Sequence, residues 1–374
     1  MLLRRARGLI VQWQDGELTL QSYLDGTCFV VDGSTLELLD RFECWAEAEQ
    51  VAASYEEYDA ASVLEQIRLL TKAGLLHDED GDGDDELLQR HWRHWSEEAR
   101  YFHYGTKDAE YVDDEEQKRR NLMELLTEDA APLFKIDQKA ERLYLPRAFL
   151  PLRSEFGDVL ATRRTHRTFT SEGVDPVTLS TVLHHTFAPM HFVDAGEFGT
   201  LLLKTSPAGG ARHELECYVG VLNVTGVDRG LYHYCGENHS LELLESPFDA
   251  HIADRLCHGQ GHCATASFVC FVTALFGRLM FKYRHPRAYR IMLLNAGHLA
   301  QTFVLVCTAL GLGPFQTAAF RDSEVEEILG VDGFAEGALY VLGAGRPVPT
   351  REGMPADLRY GGTLTPLRSG KAAS

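Results

Sequence analysis

Three arginines, Arg163, Arg164 and Arg167, fall within RRTHRTF at residues 163–169 of a 374-residue chain whose formal net charge is −19. A guanidinium offers a planar fork of donors that matches phosphate oxygens and keeps its charge when partly buried. Thr165 adds a hydroxyl donor inside the cluster. This is the chemistry of an anion site, such as a cofactor phosphate. The competing possibility is an exposed helix start with surface ion pairs. A second grouping, FKYRHPRAYR at 281–290, sets Lys282 beside Tyr283 with Arg284, Arg287 and Arg290 close behind. A lysine among cations and partly desolvated gives up its proton more readily and can act as a base, with a neighbouring tyrosine relaying a proton or orienting the amine. Against this stands a plain pair of surface residues ahead of a helix.

Other stretches are suited to hold a ligand beside these groups. SPAGGARHELECY, residues 206–218, opens with a small-residue loop: Ser206, then Gly209 and Gly210 before a strand. Such a loop lets backbone approach a flat ligand closely, although an ordinary loop has the same composition. NAGHLAQTFVLVCTALGLGPF reads as a long buried helix stopped at Gly311 and Gly313, and Gln301 within it is expected to be buried and to need a partner. FQTAAFRD, residues 315–322, reads as an irregular segment before a short helix and a last strand ending in GAGRP, from which Arg346 can return to an anion site.

Two patterns imitate metal sites. CHGQGHC at 257–263 offers Cys257, His258, His262 and Cys263, but zinc ligands usually come as two separated pairs, and a helix end leading into a strand is the simpler expectation. In DEDGDGDDE at 78–86, Asp78, Asp80 and Asp82 alternate ahead of Gly83, yet the twelfth loop position is Gln89 where calcium wants a bidentate glutamate. We read that stretch as a solvated acidic linker and expect no metal.

The elements that position these groups follow from periodicity. GLIVQWQ, ELTLQSYL and TCFVV read as short strands. Residues 34–43, with Ser34 as N-cap, then 45–54 and 59–76 read as amphipathic helices, the last stopped at Gly74. Residues 1–77 therefore form a small winged-helix-like module, followed by the linker 78–89. Residues 87–130 read as polar helix in which Trp92 and Trp95 share a face; 131–150, with Pro132 and Pro146, read as extended. From about 151 to 350 strands and helices alternate. The strands are LECYVGVLNV, GLYHYC, SLELLE, FVCFVTALF and ALYVLGAG; the helices are 155–164, 175–187, 249–259, 284–312 and 322–330. Residues 351–374 read as a tail.

Composition narrows the class. Apolar residues make up 45% and charged residues 24%, a globular balance. The acidic charge disfavours nucleic-acid phosphates and anionic membranes as partners. There is no signal-peptide pattern and no run of about 18 apolar residues. Eight cysteines, several inside apolar runs, suit free thiols in a reducing cytoplasm.

Taken in order, the Arg-x-Thr-x-Arg opening of RRTHRTF, the Ser-Pro-Ala-Gly loop, the AGHLAQ helix, its GLG stop, the segment ending Ala-Ala-Phe and the closing GRP resemble the SagB-type dehydrogenases, FMN-dependent azoline oxidases on the nitroreductase fold. FHYGTKD at 102–108 belongs to the same layout, which spans about 90–350. The resemblance implies an α+β, dimeric FMN domain with a mixed sheet flanked by helices. It assigns Arg163, Arg164, Thr165 and Arg167 to the flavin phosphate and pyrimidine edge. It puts Ser206, Ala208 and Gly209 against the flavin, Gln301 near it, and Arg346 near its phosphate. Gln316, Thr317, Ala318 and Ala319 match the segment facing flavin N5, where members commonly carry Pro-Ile-Gly-Ala; backbone amides can serve there whatever the side chains. Lys282 and Tyr283 match the catalytic pair. Residues 1–77 also resemble a precursor-peptide recognition element, which binds a leader as an added strand.

The implied activity is oxidation of a thiazoline or oxazoline in a ribosomally made precursor peptide to the azole, by a cytoplasmic homodimer with or without a cyclodehydratase complex. The alternatives are a peptide backbone desaturase, an NAD(P)H-dependent nitro or quinone reductase, and a non-catalytic peptide-binding scaffold.

Overall fold

A computed structural model of the chain describes residues 1–79, 81, 83–127, 132–196 and 199–348. The tail expected at 351–374 lies outside the described residues, as do Asp80 and Asp82 of the calcium-like pattern. The chain forms two compact units, one of Met1–Val112 with His285–Arg287, the other of Asp113–Arg284 and Ala288–Ser374. The division falls at 112/113, beyond the boundaries expected at 77 and 90.

The first unit runs β1 (Leu2–Arg5), β2 (Leu9–Gln14), β3 (Glu17–Ser22), β4 (Cys28–Val30), α1 (Gly33–Asp40), β5 (Ala46–Glu47), α2 (Ala48–Ala53), α3 (Ala60–Lys72), β6 (Leu76–His77), α4 (Gly83–Trp92) and α5 (Glu97–Gly105). β2, β3 and β4 make an antiparallel meander, and β1 pairs with β5 and β6. Asp15 and Gly16 both take positive φ (51° and 84°), which suits the tight β2–β3 hairpin. Leu3, Leu20, Leu39, Phe42, Ile67 and Leu76 fill the core.

Three expectations change here. The cap of α1 is Asp32, whose Oδ1 accepts the Thr35 N–H at 2.8 Å; Ser34 lies inside the first turn and donates its own hydroxyl to the same oxygen. The acidic stretch is not solvated throughout. α4 begins within it, and Asp85 is buried and accepts the Arg7 N–H at 2.7 Å. Trp92 and Trp95 do meet, edge to face at 5.2 Å, but Trp92 ends α4, so the contact wraps a helix end.

The second unit runs α6 (Glu115–Leu126), β7 (Arg142–Tyr144), α7 (Phe156–Thr162), α8 (Pro176–Phe187), β8 (His191–Asp194), β9 (Thr200–Leu203), β10 (Leu215–Val221), β11 (Gly230–Cys235), β12 (Ser240–Leu243), α9 (Ala250–Leu256), α10 (His262–Thr265), β13 (Phe268–Leu275), α11 (Phe276–Met280), α12 (Ala288–Ala309), β14 (Gly313–Thr317), α13 (Asp322–Leu329) and β15 (Glu336–Gly345). One sheet orders seven strands as β14-β15-β13-β10-β11-β12-β7. Its pairings are antiparallel, and the parallel pairing described is the isolated bridge Val174–Val224. Side chains alternate across the sheet, so both faces need cover. Cys217 and Val219 of β10 pack with Leu179 and Leu183 of α8 and Leu299 and Phe303 of α12. Tyr218 packs on the other side with Leu256 of α9 and Val325 and Leu329 of α13. This is the expected α+β sheet between helices.

The segment 315–322, expected to be irregular, begins inside edge strand β14, which pairs to β15. α12 is apolar and long enough to cross a membrane by composition, but half of that stretch is buried in the unit. Its open face carries Leu293, Leu294, Gly297, His298 and Gln301, so Gln301 is exposed rather than buried: it falls on the stripe opposite Ala300 and Phe303. All eight cysteines are free, and only Cys28 and Cys44 are exposed.

Candidate active site

The arginine cluster follows a helix end instead of starting a helix. α7 stops at Thr162 with Arg163 as its C-cap, and the chain then runs extended along the sheet margin. His166 N–H donates to the Pro314 carbonyl at 2.9 Å, Thr170 N–H to the Arg346 carbonyl at 2.9 Å, and Val348 N–H to the Thr168 carbonyl at 3.2 Å. RRTHRTF is thereby stitched to β14 and to the end of β15. Arg164, Thr165 and Arg167 are exposed and Arg163 is half-buried. Arg164 Nη1 donates to the carbonyls of Ala161 and Arg163 at 2.9 and 2.7 Å. Among the described residues no carboxylate forms an ion pair with Arg163, Arg164 or Arg167. Surface ion pairing therefore does not explain the cluster, although 55 acidic residues were available to supply it. Arg346 reaches the same place but faces carboxylates, Asp175 at 3.6 Å and Glu172 at 3.9 Å.

Next to the cluster, Gln316 is half-buried at the end of β14, and its Oε1 is buried with no partner among the described residues. Thr317 Oγ1 accepts the Ala319 N–H at 3.1 Å, and Ala318 and Ala319 are exposed. The CHGQGHC segment braces this strip from behind. Gln260 Nε2 donates to the Ala319 carbonyl at 2.7 Å, and His258 Nε2 lies 3.2 Å from the Phe320 carbonyl. The His262 ring stands edge-on to Phe315 at 4.6 Å; burial, and then the charge of Arg167, hold its pKa down. His258 and Gln260 are supporting residues; the sequence offered His258 only as a metal-like ligand and did not single out Gln260, because their partners are main-chain carbonyls 62 and 59 positions away. Among the described residues no three or more His, Cys, Asp or Glu side chains gather as metal ligands.

A second group forms where the 206–213 loop meets the segment after β13. The loop is strained: Gly210, Ala211 and His213 take φ of 58°, 55° and 45°. Left-handed non-glycine residues are sparsely populated and collect at functional sites. Arg278 of α11 donates through Nη1 to the His213 carbonyl at 3.2 Å and to Glu216 Oε1 at 2.5 Å, and through Nε to the Pro132 carbonyl at 2.8 Å. The Arg212 guanidinium lies 5.4 Å from the Phe281 ring centroid. The chain is thus held just ahead of Lys282 and Tyr283, and both side chains come to Gly210. A Cβ there would stand 2.8 Å from Tyr283 Oη and 2.9 Å from Lys282 Nζ. Lys282 Nζ sits 5.6 Å from the Tyr283 ring centroid. Lys282 is exposed, so the desolvation expected of it is absent in the single chain. Ser206 is buried and turns inward to Thr302 Oγ1 at 2.6 Å, leaving the half-buried Ala208 and Gly209 on the accessible side of the loop.

Comparison with known proteins places this geometry. Residues 160–346 match the family model described as the nitroreductase family. The chain is 34% identical over 191 residues to the nitroreductase-described protein MJ1384 of Methanocaldococcus jannaschii, covering 51% of this chain and 90% of that one. It is 31% identical over 242 residues to the trifolitoxin-processing protein TfxB of Rhizobium leguminosarum bv. trifolii, covering 61% of this chain and 64% of TfxB. It is 28% identical over 131 residues to the microcin B17-processing protein McbC of Escherichia coli, covering 34% of this chain and 48% of McbC. The resemblance read from the motifs therefore extends to two proteins named for processing trifolitoxin and microcin B17, of which this chain spans less than two thirds. With the family model matched across the whole second-unit site and MJ1384 matched over nine tenths of its length, the chain belongs to the nitroreductase family.

Proposed function

We propose that the protein oxidises thiazoline or oxazoline rings in a ribosomally made precursor peptide to the aromatic azoles, using FMN. The observation that carries this is the convergence of Lys282 Nζ and Tyr283 Oη on Gly210, in the loop the resemblance sets against the flavin. The similarity to TfxB and McbC supports a peptide substrate. The residues present fit FMN. Among the described residues three arginines lack carboxylate partners and the buried Gln316 Oε1 lacks a hydrogen-bond donor, and a Cβ at Gly209 or Gly210 would stand within 3 Å of neighbouring side chains. Arg163, Arg164, Thr165 and Arg167 would hold its phosphate and pyrimidine edge, with Ala208 and Gly209 against its ring. Gln316, Thr317, Ala318 and Ala319 would line the opposite edge. Ser206 and Arg346 would support the site, since their side chains engage Thr302 and two carboxylates.

Bound FMN supplies the acceptor for the hydride lost by the ring. Lys282 takes the proton from the α-carbon, and Tyr283 orients the amine or passes the proton on. Guanidinium groups near the pyrimidine edge stabilise negative charge as it develops. The protein acts as a homodimer: the open face of α12, with Leu293 (44% exposed), Leu294 (62%) and Gln301, is the surface for the second copy. Residues 1–77 bind the leader by strand addition. This is supported by the open edges of β2 and β4 and by a groove of about 960 Å³ lined by Arg5, Arg7, Ile10, Leu36 and Glu43.

The test is conversion of a thiazoline peptide by purified protein, followed as loss of two hydrogens by mass spectrometry beside the flavin spectrum. Lys282→Ala is expected to keep its flavin and lose the conversion; an unimpaired variant overturns the assignment. The likeness to MJ1384 favours a second reading, an NAD(P)H-dependent reductase. Rapid bleaching of the flavin by NAD(P)H without peptide would select it.

A further inference from the structure

Glu214 closes the strained loop and is completely buried, 0% exposed. Its Oε1 accepts from Asn295 Nδ2 of α12 at 2.8 Å. Asn295 Oδ1 in turn accepts the Gly209 N–H at 3.3 Å. The other carboxyl oxygen, Oε2, is buried with no hydrogen-bond partner among the described residues. A small cavity there is bounded by Lys204, Ser206, Ala208, His213, Asn295 and Leu299. Burial pushes the Glu214 pKa up, against the Asn295 hydrogen bond. Two positions along, Glu216 is engaged at both oxygens, by Arg278 and by His233.

A buried carboxyl with one hydrogen bond is unfavourable compared with an apolar residue of the same size. Its position is therefore informative. Gly209 is closely packed: a Cβ on it would stand 2.7 Å from Ile291 Cγ2. The Asn295 amide fixes that main chain from the helix side, and Glu214 fixes which way the amide faces. The next residue is Gly210, against Lys282 Nζ and Tyr283 Oη.

We propose that Glu214 is a positioning residue for the Lys282–Tyr283 pair, acting through Asn295 and the Gly209 main chain. The inference rests on the reading of that pair as the proton-handling groups, and its test separates the two. In the purified full-length protein, competitive acylation by acetic anhydride, read by peptide mass spectrometry, reports the environment of Lys282 without any turnover. Glu214→Leu removes the acceptor; Glu214→Gln retains it. The expected result is a several-fold change in Lys282 acylation, relative to the other lysines, in Glu214→Leu, with Glu214→Gln close to the parent. On a synthetic thiazoline peptide kcat falls by about ten- to a hundredfold, with KM little changed. Should Glu214→Leu fail to fold, Asn295→Leu cuts the same chain at its middle and is expected to act alike. Unchanged Lys282 acylation in a folded Glu214→Leu, or an equal change in both Glu214 variants, overturns the proposal. If the acylation pattern appears as expected while the parent protein leaves the thiazoline intact, the positioning role stands and the azoline assignment falls.

Discussion

The Arg278 guanidinium donates to the Glu216 carboxylate at 2.5 Å, and both side chains are nearly buried, at 4% and 11% exposure. This pair ties the turn leading to Lys282 onto the central strand β10. Removing one partner leaves an uncompensated buried charge, which costs about 3–5 kcal/mol. Arg278→Leu is expected to lower the denaturant midpoint of the second unit accordingly, and denaturant unfolding followed by circular dichroism checks it.

The same carboxylate links to a pH effect. Burial would raise Glu216, but the hydrogen bond from His233 and the charge of Arg278 hold it at about 2. Burial would lower His233, but its hydrogen bonds to Glu216 and Glu242 raise it to about 8 from 6.5. A histidine raised on folding contributes stability that is full below pH 6.5 and lost as pH climbs through 8. The Glu216 contribution is present above pH 4.5 and lost as pH falls toward 2. His213 runs the opposite way to His233: burial, then Lys204, lower it to about 3, so its contribution fades as the medium acidifies below 6.5. Comparing His233→Gln with the parent isolates the first effect. The parent's stability advantage is expected to shrink by roughly 2 kcal/mol between pH 6 and 9, measured by urea unfolding at each pH.

Arg163, Arg164 and Arg167 present cationic donors without carboxylate partners among the described residues. A charge-assisted hydrogen bond contributes about 1.5–3 kcal/mol, which converts to roughly ten- to 150-fold in affinity. Arg167→Ala is expected to weaken FMN by about that factor, more at low salt than at high. Recovery of free-flavin fluorescence on dilution gives the measurement. An unchanged affinity would remove Arg167 from the phosphate site.

Gly210 sits at φ 58° with two side-chain tips inside 3 Å of any added Cβ. Left-handed backbone costs an L-residue about 1–2 kcal/mol, so Gly210→Ala should lower the thermal midpoint modestly. Because the clashing atoms are Tyr283 Oη and Lys282 Nζ, turnover should fall more than stability does. Thermal melts run beside a thiazoline assay compare the two.

How much of this was legible depended on where backbone partners lie. β10, β11 and β13 are central and buried, so their sequences stand out as continuous apolar runs. β14 escaped because it is an edge strand opening with Gly313 and Pro314, residues that argue against a strand. The β8–β9 hairpin escaped because its outward face is exposed and its second strand borders the loop. Lys282, Tyr283 and the arginines could be picked out by residue type. Their supports could not. Arg278 reaches Glu216 across 62 positions and Asn295 reaches Glu214 across 81, and no local pattern encodes either pairing. Gln301 was placed on the wrong face because a helix this apolar has no clear polar stripe to phase it.

The distribution of cysteines has a practical consequence. Six thiols are shut inside the second unit; the two exposed ones, Cys28 on the free edge of β4 and Cys44 in the groove lining, both belong to the first. A maleimide dye added to the native protein should mark the first unit alone, and a Cys44→Ser background would confine it to β4. A fluorophore at that edge would test the proposed leader binding directly, with the second unit left unlabelled.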